Sequence, residues 1–155
     1  MKWLTPVFVL STLCIFAQIA AHTDEATIIN PHQMKWGPVA AIPGTELAVL
    51  SGDLEKAGPF VVEFRGPAGT KIPPHWHSNN ERVLMISGTA TVGSGDDIEP
   101  ENGTMLVPGG YSVVPGKMHH WFVAQGPFVM MVEGDGPTDL HFVHPEDYPN
   151  KKTAQ

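Results

Sequence analysis

The chain has 155 residues and a formal net charge of −7, and this length is enough for one domain with its own hydrophobic core. Its 9 Lys and Arg residues form no basic stripe, so we expect no nucleic-acid partner. The 16 Gly and 15 Pro residues follow no period, which excludes a collagen-like repeat and favours an all-β domain with many turns.

Residues 1–21 have the features of a secretory signal peptide. Lys2 supplies a short positive start, an apolar core covers residues 7–17, and Ala20 and Ala21 offer small residues for cleavage. The alternative is an uncleaved N-terminal anchor, but the apolar run is shorter than the about 20 residues that a membrane span needs. We therefore predict a secreted or periplasmic protein that has no membrane contact after cleavage.

The single cysteine of the chain, Cys14, lies inside this segment. A mature chain that begins after residue 21 would contain no cysteine. Disulfides, thiol catalysis and cysteine metal ligands are then excluded together. Residues 22–44, which come next, contain several prolines and are predicted to be irregular.

Short apolar runs separated by turn signals follow. Residues 60–65 alternate apolar and polar positions in the way of a half-buried strand, and Pro73 and Pro74 forbid helix in residues 71–76. We predict nine to eleven strands and no amphipathic helix; the main candidates are residues 46–50, 60–65, 71–76, 82–87, 89–93, 104–107, 111–114, 120–124 and 128–133, with 139–143 as a further one.

Two regions between or after these strands are polar. Residues 93–103 carry four carboxylates, but they lack the fixed ligand pattern of a calcium loop, so a solvated hairpin loop is expected. Residues 144–155 are predicted to be a polar tail that frays. The strands between residues 45 and 143 fit a double-sheet jelly roll or a small barrel.

Two histidines and a glutamate are spaced to share one face of an extended segment. His75 and His77 are two residues apart, and Glu81 keeps the same parity six residues after His75. Two imidazoles and a carboxylate are typical metal ligands. A second segment, residues 115–121, offers another imidazole, so the chain predicts a metal site built from two separate stretches.

The first of these stretches resembles the first motif of the cupin superfamily. That motif reads Gly-x5-His-x-His-x3-Glu-x6-Gly, and the sequence from Gly69 to Gly88 matches it at every defined position. The second cupin motif, Gly-x5-Pro-x-Gly-x2-His-x3-Asn, is matched in part. Gly109, Pro115 and His120 are in register, whereas Lys117 replaces a glycine and Ala124 replaces the asparagine.

The resemblance implies a cupin-type double-stranded β-helix, or jelly-roll barrel, over residues 45–143. It also implies that His75, His77, Glu81 and His120 bind one divalent metal ion inside the barrel. Imidazole and carboxylate ligands suit Fe, Mn, Ni, Zn or Cu, so the ion stays open. A small-molecule ligand or substrate is expected by the same resemblance, and a homodimer is compatible with it.

Neighbouring residues leave alternatives for this site. His119 competes with His120 as the fourth ligand, but adjacent strand residues face opposite ways and the motif register favours His120. Glu81 could act as a base instead of a ligand. A structural β-domain whose histidines hold no metal is the remaining alternative. Trp76 has the wrong parity to face the site and is predicted to pack elsewhere.

The predicted interior is apolar. Parity with Glu81 and His120 points Val83, Met85 and Phe122 inward, and Phe60, Val62 and Phe64 are further candidates. Such a pocket is dry and poor in acid–base groups. The candidate bases near the site are Tyr111, His119 and His141.

This interior favours metal-centred oxygen chemistry over proton shuttling. We therefore predict a dioxygenase-like oxidoreductase acting on a small organic substrate. The alternative is a non-catalytic module that binds metal or a small ligand for sensing or storage.

Overall fold

The computed structural model describes residues 25–149, and this part of the chain forms two antiparallel sheets. The first sheet has the strand order β1-β2-β3-β10-β5-β8 and the second β11-β4-β9-β6-β7. The strands are β1 (Gly37–Pro38), β2 (Glu46–Ser51), β3 (Gly58–Gly66), β4 (Lys71–Trp76), β5 (Glu81–Ser87), β6 (Ala90–Ser94), β7 (Thr104–Leu106), β8 (Tyr111–Val114), β9 (His120–Ala124), β10 (Phe128–Gly136) and β11 (His141–Phe142).

The connections between these strands make a jelly roll. From β3 onwards the chain changes sheet at every connection except the β6–β7 hairpin. The two sheets therefore face each other across one interior. The all-β jelly roll expected from the sequence is confirmed, and the eleven strands fall within the predicted number.

Strand bounds differ from the predicted ones mainly at glycines. β3 and β10 pair along their whole length, from Gly58 opposite Gly136 to Gly66 opposite Phe128. Their glycine-rich ends carry no hydrophobic alternation, so the sequence pattern stops short of them. β1 lies within the segment that was expected to be irregular, and it pairs with β2.

The core lies between the sheets. Along β3, Phe60, Val62 and Phe64 are buried and their sequence neighbours are less so, which is the predicted alternation. Tilted ring contacts continue this core: Phe128 lies 5.7 Å from Phe64 in its own sheet and 4.9 Å from Phe122 in the opposite sheet, measured between ring centroids. The contact between Phe122 and Phe128 therefore joins the two sheets.

Histidine side chains link the predicted hairpin loop, residues 93–103, to the start of the predicted tail, residues 144–155. His119 Nδ1 lies 2.6 Å from Asp96 Oδ1, and His144 Nε2 donates to the Asp96 carbonyl at 2.7 Å. Tyr148 packs its ring edge-on against Phe142 at 5.1 Å. The start of the predicted tail therefore packs on the barrel as far as Tyr148, where fraying was expected; residues 150–155 of that tail lie outside the described residues.

Helical structure in residues 25–149 consists of three 3-10 turns of three residues each. Within that range the chain has no helix with the length and apolar character needed to cross a bilayer. The predicted signal peptide lies outside the described residues.

The indole of Trp121 packs on a glycine of the neighbouring strand. Trp121 is 1% exposed, and a Cβ at Gly93 would lie 2.2 Å from its Cζ2 atom. Real side chains do not approach that closely, so the indole requires glycine at this position.

We expect Gly93→Ala to lower the free energy of unfolding by about 1–3 kcal/mol through overpacking, measured by urea titration. Gly126→Ala is the control, because a Cβ there meets nothing within 4 Å. Equal effects of the two substitutions would contradict the packing argument.

Candidate metal centre

The predicted ligands lie at or near the ends of three strands. His75 is near the end of β4, and His77 follows that strand by one residue. Glu81 is the first residue of β5 and His120 the first of β9. β4 and β9 are neighbours, and their register places His75 directly opposite His120. Because directly paired residues share a face, both imidazoles point into the interior.

The structure brings all four predicted residues together. The candidate ligand atoms of His75, His77 and His120 all lie within 4.8 Å of one another. Glu81 joins them, with Oε1 3.6 Å from His77 Nε2 and Oε2 3.6 Å from His120 Nε2. Two atoms bound to one ion at 2.0–2.2 Å can be about 4.4 Å apart at most. The carboxylate separations therefore fit a shared ion.

Each imidazole is oriented by a hydrogen bond from its Nδ1 atom to a backbone carbonyl. Since a carbonyl oxygen can only accept, Nδ1 carries the proton and Nε2 keeps a free lone pair. The acceptors are Pro73 for His75 at 2.7 Å, Met118 for His120 at 3.0 Å and Asp139 for His77. Metal-binding histidines typically make such a hydrogen bond with the ring nitrogen that does not bind the metal.

Burial and mutual charge set the protonation states that a metal requires. Burial, together with the charges of His120 and His77, lowers the pKa of His75 to about 3. Burial alone would raise the pKa of Glu81, but the nearby His120, His77 and His75 outweigh it and lower that pKa. At neutral pH the centre therefore offers a neutral imidazole at His75 and an ionised carboxylate at Glu81, the forms that bind metal.

Asp139 holds the loop behind His77. Its backbone carbonyl accepts from His77 Nδ1, while its carboxylate accepts from Ser78 N at 2.7 Å and from His141 Nε2 at 3.0 Å. Burial would raise the pKa of this carboxyl, but the hydrogen bonds from Ser78 and His141 lower it to about 2. The ionised carboxylate fixes the chain that positions the His77 ring.

The other residues considered in the sequence lie outside the centre. His119 is 39% exposed and bonded to Asp96, so His120 and not His119 reaches the cluster. Trp76 stacks on His141 with ring centroids 4.0 Å apart, in keeping with its predicted packing role. Tyr111 is 58% exposed at the start of β8. These positions leave Glu81 as the acid–base group within the cluster.

Two cavities flank the histidines inside the barrel. The hairpin cavity, of about 350 Å³, opens between β6–β7 and β8 and is lined by His75, Glu81 and His120 together with Val83 and Phe122. The N-terminal cavity, of about 300 Å³, is lined by His75, His77 and Glu81, and its walls include Phe60, Val62 and Phe64. Both volumes lie at the lower end for small-molecule pockets. Met85, predicted to face inward, is fully buried and lines neither cavity.

Sequence reasoning missed two sets of lining residues. Ser112, Asn102 and Thr104 give the hairpin cavity a polar end. Ser112 pairs directly with Val83, but that register comes from tertiary pairing and no sequence pattern reveals it. Val39 to Ile42 close the N-terminal cavity. The short apolar run between Pro38 and Pro43 is the sequence signal for this segment.

Fold and site together define a cupin. The chain belongs to the ChrR cupin-like domain family, whose model matches residues 24–135. The cupin membership suggested by the two sequence motifs is confirmed. No curated protein matches the chain.

Solved structures with the same fold carry several different activities in their names. The polyketide cyclase RemF from Streptomyces resistomycificus has a TM-score of 0.62 at 15% identity, covering 77% of this chain and 87% of its own. An RmlC-like cupin from Shewanella frigidimarina has a TM-score of 0.58 at 14% identity, covering 72% and 91%. An oxalate oxidase has a TM-score of 0.51 at 20% identity, covering 64% and 55%. At these identities the likeness shows the fold alone.

We expect His120→Ala to weaken metal binding by well over the 10–100-fold that is typical of removing a residue that hydrogen-bonds to a metal ligand. The measurement is competitive titration of each candidate ion against a chromophoric chelator.

His119→Ala is the matched control, because it removes the adjacent imidazole that faces Asp96. If the two substitutions changed the affinity equally, or if His120→Ala kept the wild-type value, His120 would not be a ligand.

Proposed function

We propose that this protein is a mononuclear metalloenzyme, dioxygenase-like in its chemistry, that acts on a small organic substrate. The observation that carries the proposal is the set of three imidazoles with their Nδ1 protons donated to backbone carbonyls. Core packing does not require these three hydrogen bonds, whereas together they direct three Nε2 lone pairs towards one point. The carboxylate of Glu81 completes the set.

The residues fit one divalent ion, with His75, His77, His120 and Glu81 as its protein ligands. These four residues would hold the ion and would leave part of its coordination sphere open to a small ligand. When bound, the ion supplies Lewis acidity and, for Fe, Mn, Ni or Cu, redox chemistry. With one carboxylate against two positive charges, the centre keeps a formal charge of about +1, which favours an anionic oxygen of the substrate.

The surrounding residues favour oxidation over proton transfer. Apart from the four candidate ligands, the linings of both cavities in the described part of the chain contain one further ionisable group, Asp139, whose carboxylate is hydrogen-bonded to Ser78 and His141. An isomerase or a cyclase that moves protons needs a positioned acid or base beside the reacting carbon. Glu81 could serve as a base only by giving up its place among the ligands. The apolar walls of the N-terminal cavity disfavour water on that side of the centre, which limits side reactions of reactive oxygen species.

The same scarcity of acid–base groups supports the second candidate, a non-catalytic module that binds metal or a small ligand. In that case a ligand raises the unfolding temperature of the loaded protein and is recovered unchanged.

Export to the periplasm or the outside of the cell is part of both proposals. It rests on residues 1–21, and a mature N-terminus near His22 in protein isolated from its source tests it.

We expect the protein loaded with at least one of Fe, Mn, Ni or Cu to consume oxygen with a member of a panel of phenols and 1,3-diketones. Oxygen electrode traces and product mass spectra are the readout. His119→Ala should retain the rate, and His120→Ala should lose it because the ion is no longer held. Absence of uptake with every ion and every substrate would contradict the enzymatic proposal and leave the binding module.

A further inference from the structure

The two cavities meet at the candidate metal centre. Ile72, His75, Glu81 and Met130 line both of them, so the cluster forms part of a partition between two chambers. One chamber lies towards the edge strands β7 and β8, and the other lies beneath the N-terminal segment. A small molecule that reaches the metal ligands can therefore extend to either side.

The chambers differ in chemistry. The hairpin cavity ends in hydroxyl and amide groups from Ser112, Thr104 and Asn102. Apart from the metal ligands, Thr138 and Asp139, the N-terminal cavity has hydrocarbon walls, to which Val39, Ala41 and Ile42 of the N-terminal segment contribute. Against the hydrocarbon part of these walls, a polar ligand group loses its water without gaining hydrogen bonds, so an apolar group is favoured there.

The charges of the lining residues further limit which ligands can bind in the two chambers. Neither lining contains Lys or Arg, so a phosphate or a second carboxylate would enter either chamber without a cationic partner. The ion itself is the one positive charge that the centre would supply. An occupant that fits therefore has a single metal-binding oxygen group and an uncharged, apolar remainder.

The roof of the N-terminal cavity is a segment held in place by hydrogen bonds and side-chain contacts. Residues 39–45 form successive turns, with Ile42 N donating to the Val39 carbonyl at 3.0 Å and Thr45 Oγ1 donating to the Ile42 carbonyl at 2.7 Å. Thr45 is 2% exposed and Ile42 is 7% exposed. Upstream, the guanidinium of Arg65 lies 3.8 Å above the ring of Trp36. The segment is thus fixed at both ends over the chamber.

We propose that the N-terminal cavity is the apolar subsite of the metal centre. It holds the hydrocarbon part of a substrate whose oxygen group binds the ion, and residues 39–42 limit how long that part can be. The proposal rests on the metal site of the proposed function. It names the substrate class as small molecules with one oxygen-based metal-binding group and an aliphatic or aryl tail.

The test uses straight-chain alkyl hydroxamates, from acetohydroxamate to octanohydroxamate, titrated calorimetrically into the Ni²⁺-loaded protein. The head group chelates the ion through two oxygens, and only the tail varies. We expect the Kd to fall by about fourfold for each added methylene, the factor equivalent to about 0.8 kcal/mol per buried CH₂, until the chamber is full. A Kd that does not depend on chain length would overturn the subsite.

A matched pair of variants locates the tail. Ala41 lines the N-terminal cavity, whereas Ala40 is exposed. Ala41→Phe fills the chamber and should bring the ratio of the acetohydroxamate Kd to the octanohydroxamate Kd towards one. Ala40→Phe should keep the wild-type ratio. A chain-length gain that survives Ala41→Phe would place the tail elsewhere and overturn the proposal.

The two proposals fail in different ways. If no hydroxamate bound the Ni²⁺-loaded protein any better than the metal-free protein, the metal centre itself would be wrong. If acetohydroxamate bound only with the ion but longer tails brought no gain, the centre would stand and the apolar subsite would fall. The wild-type series alone separates these two failures, and the Ala41→Phe and Ala40→Phe pair then shows which chamber holds the tail.

Discussion

The hydrogen bonds from three imidazole Nδ1 atoms to backbone carbonyls are the interaction on which the account depends. They fix the tautomer and the tilt of each ring, so that the Nε2 atoms face one another and Glu81. Two of the carbonyls lie two residues before the histidine that they orient, at Pro73 and Met118. The third, that of Asp139, comes from the loop after β10, and so the centre requires the folded barrel.

Barrel and centre are therefore coupled. The β4–β9 pairing sets His75 opposite His120, and the pairings of β5 with β10 and β8 hold Glu81 in place. Burial keeps His75 uncharged, while the nearby histidines keep Glu81 ionised. Without an ion, lone pairs of three imidazoles and one carboxylate face one another in a small volume. A bound cation would reduce the repulsion between these lone pairs. Because it would bind the folded chain, it would also stabilise the fold by mass action.

Much of this was predictable from the sequence, for reasons of spacing. A period of two put His75 and His77 on one face and turned Trp76 away, and the motif register selected His120 over its neighbour. The parts that could not be predicted depend on tertiary register: the Asp139 support for His77 and the placement of Ser112 beside Val83. The N-terminal segment was expected to be irregular because prolines dominate its pattern, yet it supplies the roof of a cavity.

The central claim is that His75, His77, His120 and Glu81 bind one ion together. X-ray absorption at the edge of the bound metal tests it most directly. The account predicts three imidazole rings and a carboxylate oxygen in the inner coordination sphere, at about 2.0–2.2 Å from the ion. A spectrum that required no more than one imidazole would contradict it.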